Sequence, residues 1–216
     1  MRLRLTDDVH GVMIDDDAVF LDVAANAYFC LPAIGSIMRL AGGDIDTTEA
    51  VLADSLCAAG LAERDGRTRR EDEPAPPRRP PPPPRWTARA LVAGRDGRFS
   101  RKHGQALFAG WWRAARPRAF RALQPPVGPP AMSPSPAMLD DIAVFRRMAP
   151  WLPFDGACLF RSGFLLGYLE TLGHRVDWVF GVRTWPFRAH CWLQAGDVAL
   201  DDEAERLIAY HPIMVR

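Results

Sequence analysis

Eight of the twelve residues from Pro74 to Arg85 are proline, and this run limits the folds open to the 216-residue chain more than any other feature. Proline has no N–H to give a helix or an interior strand, and it biases the residue before it toward extended backbone. The stretch therefore predicts a semi-rigid polyproline spacer with structured chain on either side. We expect a module over residues 1–66, a Pro-rich linker over 67–85 and a second domain over 86–216. A further Pro-rich segment, Gln124–Pro136, sets a basic helical stretch apart from the C-terminal part. No internal repeat is visible.

Charge divides along similar lines. Residues 1–73 carry 15 acidic and 7 basic side chains, net −8, whereas 85–121 carry 10 basic and one acidic, net +9. Such blocks attract each other, a partner or a polyanion, or form solvated faces. The four cysteines (30, 57, 158 and 191) include no CxxC and no metal-ligand spacing, so neither a metal nor a cofactor is expected. Charge interrupts Met1-Arg-Leu-Arg-Leu-Thr-Asp-Asp8 at once, and no apolar run approaches the roughly 18 residues of a membrane span. The expectation is a cytoplasmic protein with reduced thiols and no membrane partner.

In the first module, Val9–Ile14, Val19–Val23 and Ala27–Leu31 read as strands, the first two flanking Asp15-Asp16-Asp17. Pro32 suits a first helical position, so a helix is predicted over Ala33–Leu40, ending at Gly42-Gly43. Asp46-Thr47-Thr48-Glu49 reads as the cap of a second helix running to about Ala59. Three small strands and two helices make a winged-helix-like module. Its acidity opposes the phosphate attraction that nucleic-acid binding needs. An open strand edge could instead accept a peptide as an added strand, and a simple packing domain would look the same in sequence.

The C-terminal half carries the candidate chemistry. Cys158 opens an apolar helix-patterned run to Leu172, and a helix N-terminus stabilises a thiolate. His190 lies 32 residues later in the strand-like Phe187–Leu193, and Asp202 lies 12 residues beyond His190. Nucleophile, base and orienting carboxylate are the parts that covalent acyl transfer needs. Cys191 neighbours His190 on an alternating strand, so its side chain is expected on the opposite face, and Cys30 and Cys57 belong to the first module. His10, His103, His174 and His211 are read as surface or capping residues. The carboxylate depends on hairpin register. A two-residue turn at Ala195-Gly196 sets position 190 opposite 201, and a three-residue loop Ala195–Asp197 sets it opposite 202.

Between the Pro-rich segments, Ala106–Ala115 is helical and aromatic, suited to core packing or to docking a partner, and Met138–Met148 is a further amphipathic helix.

Two resemblances sharpen these readings. Asp8–Asp22, Asn26–Pro32 and the closing Ala58-Ala59-Gly60-Leu61 resemble the PqqD family, which implies leader-peptide recognition by residues 1–66. Trp151–Cys158, Leu172-Gly-His174, Val179–Arg183, Pro186–Leu193 and Leu200-Asp201-Asp202 resemble lasso-peptide B proteins over about residues 138–216. That resemblance implies an α+β chain whose second domain is a transglutaminase-like (papain-like) cysteine peptidase, with Cys158, His190 and Asp202 catalytic. It favours Asp202 over Asp201. It also implies a precursor peptide as substrate, cut at its leader, and as partner an ATP-dependent macrolactam synthetase related to asparagine synthetase. No phosphate-cradling GxxxxGK[ST] loop is present. An acyltransferase or transglutaminase, or a leader-presenting scaffold without catalysis, are the alternatives on the same framework.

Overall fold

The computed structural model describes residues 1–64, 80–116, 132–152 and 157–216. Residues 67–79 of the expected linker, most of the second Pro-rich segment and the Pro153–Gly156 part of the Cys158 motif lie outside the described residues. The described part mixes helices with three antiparallel-rich sheets.

Strands β2 (Val9–Ile14), β3 (Asp17–Asp22) and β4 (Ala27–Leu31) form a meander with β3 in the centre and β4 on an edge. The β2–β3 turn falls at Asp15-Asp16, because Ile14 pairs with Asp17. β3 is buried on both sides. Ala18 and Phe20 join one apolar cluster, while Val19 and Leu21 join another. The first cluster lies under a four-stranded sheet, β5 (Met38–Ala41), β6 (Asp44–Thr47), β1 (Arg2–Leu5) and β7 (Ala62–Arg64), with helix α1 (Ala50–Ala58). Gly11 on β2 lets the two sheets approach, since a Cβ there would come within 2.7 Å of Leu40 Cδ2.

Two expectations for this region are corrected. Ala33–Leu40 is not a helix. Asp17 Oδ1 takes the N–H of Ala33 at 2.9 Å, and the Asp16 carbonyl takes those of Ile34 and Gly35. The N–H groups that a first helical turn would present are thus tied to the β2–β3 corner, with Ala33 at φ 54°. The chain then enters β5, and Gly42-Gly43, both at positive φ, turn it into β6. Asp46 and Thr47 belong to β6 and not to a cap, and α1 starts only at Ala50. With one helix and seven strands among the described residues of 1–64, this region differs from a winged helix.

The other face of β3 covers the C-terminal part. Val19, Leu21 and Val23 pack in one cluster with Leu139, Phe164, Phe180 and Leu193. Each such side chain, fully buried, contributes about 1.5–3 kcal/mol. The two sides of the proline run therefore share a core. Pro80–Arg85 runs without helix or strand into β8 (Trp86–Thr87), and Gln194 Nε2 donates to the Pro82 carbonyl at 2.9 Å.

The C-terminal sheet has the order β12 (His211–Val215), β9 (Asp177–Arg183), β10 (Arg188–Ala195), β11 (Val198–Ala199), β8. Helix α5 (Cys158–Thr171) packs on its inner face, and α3 (Arg101–Ala115) and α4 (Pro136–Met148) pack against α5; α2 (Ala88–Leu91) and α6 (Ala204–Leu207) are single turns. α3 and α5 cross at glycines: a Cβ on Gly110 would lie 2.6 Å from the Phe164 carbonyl, and one on Gly167 would lie 2.8 Å from Gly110 Cα. α3 thus packs on the core through Ala106, Leu107 and Gly110, while Phe108 and Trp112 face outward.

Candidate active site

Cys158 is the first residue of α5, after Ala157 at the N-cap. N–H groups in the first turn of a helix have no intrahelical acceptor, so the sulfur sits among free donors at the positive end of the dipole. α5 lies over β10, which brings the half-buried thiol against two consecutive residues of that strand. Its side chain hydrogen-bonds with Cys191 and with His190. The Cys191 bond, then the His190 bond, outweigh burial and bring the Cys158 thiol down to about 4.

His190 faces Trp192 and Tyr210, with ring centroids 6.3 and 5.4 Å away. Its Nε2 lies 2.7 Å from Asp202 Oδ2. The Asp202 bond first, and the Cys158 bond second, raise His190 to about 9 despite burial. Burial alone would push the Asp202 carboxyl up. Hydrogen bonds from His190 and from the Glu203 N–H, with the charges of His190 and Arg206, hold it below its ordinary value instead. Between the two pKa values the arrangement is a thiolate–imidazolium pair braced by a carboxylate.

The structure brings Cys158, His190 and Asp202 together, but by neither register considered from sequence. Gln194 pairs with Ala199 and Ala195 with Val198, so the turn is Gly196-Asp197. Extended along the ladder, that register would put 203 opposite His190. The ladder ends at Ala199, however, and the chain bends through Asp201-Asp202. Asp201 turns inward, where Oδ1 accepts the Leu193 N–H at 2.8 Å. Burial raises its carboxyl to about 7. Asp202 turns toward His190 from outside the ladder.

Cys191 was placed away from the site by strand alternation, and the structure corrects that. Its side chain does point to the opposite face from His190, into the core, but the α5 N-terminus sits there, so the Cys158 sulfur meets both residues. Around it, Trp178 Nε1 donates to Ser162 Oγ at 2.9 Å, and Ser162 Oγ donates to the Cys158 carbonyl at 2.7 Å while lying 3.3 Å from Cys191 Sγ. The bond to Cys158 first, and burial second, hold the Cys191 thiol well above its ordinary value. Sequence reasoning also missed Tyr28 on β4. Burial, then the charges of Cys191 and Cys158, push its hydroxyl up to about 12, and its ring lies 5.8 Å from that of Phe187. Trp185 at the β9–β10 tip donates Nε1 to Asp17 Oδ2 at 2.6 Å, joining the two sides of the chain again.

Other histidines stand apart. His103 is buried and, besides capping α3 through Ser100, shares the Asp141 carboxylate with His174 at 2.9 and 2.7 Å. No cysteine joins that cluster, which ties α3 and the end of α5 to α4. Among the described residues no group of three or more His, Cys, Asp or Glu side chains is placed to hold a metal ion, and no helix is long and apolar enough to cross a membrane.

Comparison with models of known protein families gives a match to the transglutaminase-like superfamily over residues 105–215, just over half of the chain. That span contains Cys158, His190 and Asp202. Neither the curated proteins nor the solved structures give a match.

Proposed function

The chain belongs to the transglutaminase-like superfamily, and from that premise we propose that it is a cysteine peptidase that removes the leader from a ribosomally made lasso-peptide precursor. The observation that carries this reading is the Cys158–His190–Asp202 chain, with sulfur and imidazole at pKa values of about 4 and 9. Nucleophile and acid are both in their working protonation states at neutral pH. The thiolate attacks the scissile carbonyl, and the oxyanion forms beside the first-turn N–H groups of α5. With Nε2 engaged by Asp202, Nδ1 of His190 delivers the proton to the departing amine. The same nitrogen then takes a proton from water, whose hydroxide displaces Cys158 from the thioester and releases the new carboxylate. The Cys191 S–H steadies the thiolate between turnovers. Asp202 holds the ring in place and offsets its charge.

Residues 1–66 serve in this reading as the PqqD-like leader-binding element. Among the described residues β4 pairs on one side only, with β3, and its residue Tyr28 stands within the electrostatic reach of Cys158. A leader added as a further strand on the free β4 edge would therefore deliver its continuation to the nucleophile, raising the effective concentration of the scissile bond. The freed core amine would pass to an ATP-dependent macrolactam synthetase related to asparagine synthetase, with both proteins in the cytoplasm, where the free thiols stay reduced.

The test is to incubate the purified full chain with a leader-bearing precursor and follow masses, with and without added glycine methyl ester. Two fragments whose masses sum to the precursor plus one water support the peptidase. An ester-amine adduct in place of hydrolysis would make it an acyltransferase, and an unchanged precursor would leave a binding scaffold.

A further inference from the structure

A cavity of about 200 Å³ lies between α4, the first turns of α5 and the Leu200-Asp201 segment. Its apolar wall comes from Ile142, Phe145 and Ala149 on and just after α4, Leu165 on α5 and Leu200. Two guanidinium groups, Arg146 and Arg161, and the Asp201 segment complete it.

The two arginines differ. Arg161 is fixed, with Nη2 donating to the Asp201 carbonyl at 2.9 Å. Arg146 is half-buried and has no hydrogen bond or ion pair among the described residues. Burial, and then the charges of Arg89 and Arg161, disfavour its charged form, and only Glu203 acts the other way. Glu203 is itself engaged by Arg89 at 3.5 Å. The Asp201 carboxylate does not answer Arg146 either, because it is turned to the Leu193 N–H. Guanidinium is never deprotonated in proteins, so Arg146 stays charged and partly desolvated, balanced among the described residues only by the charge of Glu203, which Arg89 shares. A charged fork at the mouth of an apolar cavity is suited to a planar anion with an apolar stem.

We propose that this cavity is a substrate subsite that takes a carboxylate of the bound peptide, held by Arg146 and Arg161, with its stem against Phe145, Leu165 and Leu200. The site adjoins the chemistry. Arg161 stands three residues after Cys158 on α5, so the two share a helix face, and Asp201 precedes the Asp202 that braces His190. A carboxylate bound here would fix the peptide relative to the sulfur at a second point, apart from the β4 edge. The proposal rests on the peptidase reading only in taking the ligand to be a peptide.

Binding can be read without cleavage, which separates the two ideas. The full chain carrying Cys158→Ala is titrated calorimetrically with acetyl-Leu-Glu-Leu-amide and with acetyl-Leu-Gln-Leu-amide, and with acetyl-Leu-Leu as free acid and as amide. A carboxylate form should bind about tenfold or more tightly than its neutral counterpart. A preference within the Glu/Gln pair assigns the subsite to acidic side chains, and one within the acid/amide pair assigns it to chain termini. Arg146→Gln should erase the preference, while Arg39→Gln, which removes an equal charge at an exposed position of β5, should leave it. Arg146→Lys keeps the charge but not the fork and should retain only part. Should Arg146→Gln not fold, the acid-against-neutral comparison in Arg146→Lys still decides. Equal binding of acid and neutral peptides, or a preference that Arg146→Lys leaves at full size, overturns the proposal. Hydrolysis by the unmodified chain is a separate readout and does not enter this result.

Discussion

Cys191 hydrogen-bonds the sulfur of Cys158 from the residue next to the general base, although its side chain leaves β10 on the opposite face from His190. The nucleophile is thus held from both faces of one strand, by an imidazolium on one side and a thiol donor on the other. A depressed thiol pKa at the N-terminus of a helix is common; here the largest influence is this second cysteine.

Replacing Cys191 tests that directly. Cys191→Ala removes the donor, so the Cys158 thiol should rise from about 4 toward the ordinary thiol value. The pH profile of iodoacetamide alkylation at Cys158 should move up by more than one unit, and turnover below pH 6 should fall most. Cys191→Ser, which keeps a donor of similar size, should move the profile less. An alkylation midpoint identical to that of the unmodified chain would remove Cys191 from the site. Cys158→Ala should abolish cleavage outright.

The same two groups set a pH window. Cys158 is lowered to about 4 and His190 raised to about 9, so the thiolate–imidazolium pair exists between them. Activity should rise with pH through the Cys158 value and fall as His190 loses its proton near 9, giving a bell in kcat/KM. The linkage to stability has matching signs. The folded chain's hold on the His190 proton stabilises it fully below the unfolded value of 6.5, a contribution lost as pH rises through about 9. A kcat/KM that climbs steadily past pH 10 would contradict the pairing.

Packing gives a prediction independent of the chemistry. A methyl group on Gly167 would sit 2.8 Å from Gly110 Cα, and backbone cannot swing aside as a long side chain can. Gly167→Ala should force α3 and α5 apart and cost about 1–3 kcal/mol, read as a lowered urea midpoint. Ala on Gly42, which meets nothing within 4 Å, should cost only the strain of its positive φ.

How far the chain could be read in advance depended on whether a signal was local. β2, β3, β4, α4 and α5 carry clean periodicities, and the Cys158–His190–Asp202 set follows from spacing and resemblance. The helix assigned to Ala33–Leu40 had a sound local pattern, but Asp16 and Asp17, some 16 residues earlier, capture its first N–H groups. β1 was overlooked because its two arginines masked the alternation of Leu3 and Leu5, both buried. Cys191 was discounted by an alternation rule that is correct for the strand and does not include the helix end above it. The proline run marks a change in composition, yet Val19, Leu21 and Val23 bury themselves across it.

The final prediction concerns the adjacent carboxylates Asp201 and Asp202, which the ladder alone does not separate. Asp202 contacts His190 at 2.7 Å and is held ionised, whereas Asp201 is turned inward with a carboxyl raised to about 7. Asp202→Asn should leave imidazole free to take the wrong tautomer, a loss of up to about 10⁴-fold in kcat by analogy with triad hydrolases. The variant should fold normally and bind peptide as before. Asp201→Asn keeps an oxygen for the Leu193 N–H and discards a buried charge. A carboxyl whose folded pKa is raised contributes stability that is complete below its unfolded value and lost as pH rises through about 7. Asp201→Asn should therefore match the unmodified chain at pH 5 and melt higher at pH 8, with kcat changed no more than a few-fold. Paired melting curves at those two pH values, beside kcat for each variant, measure both halves. A crippled Asp201→Asn with an active Asp202→Asn would reverse the assignment of the orienting carboxylate, while leaving Cys158 and His190 in their roles.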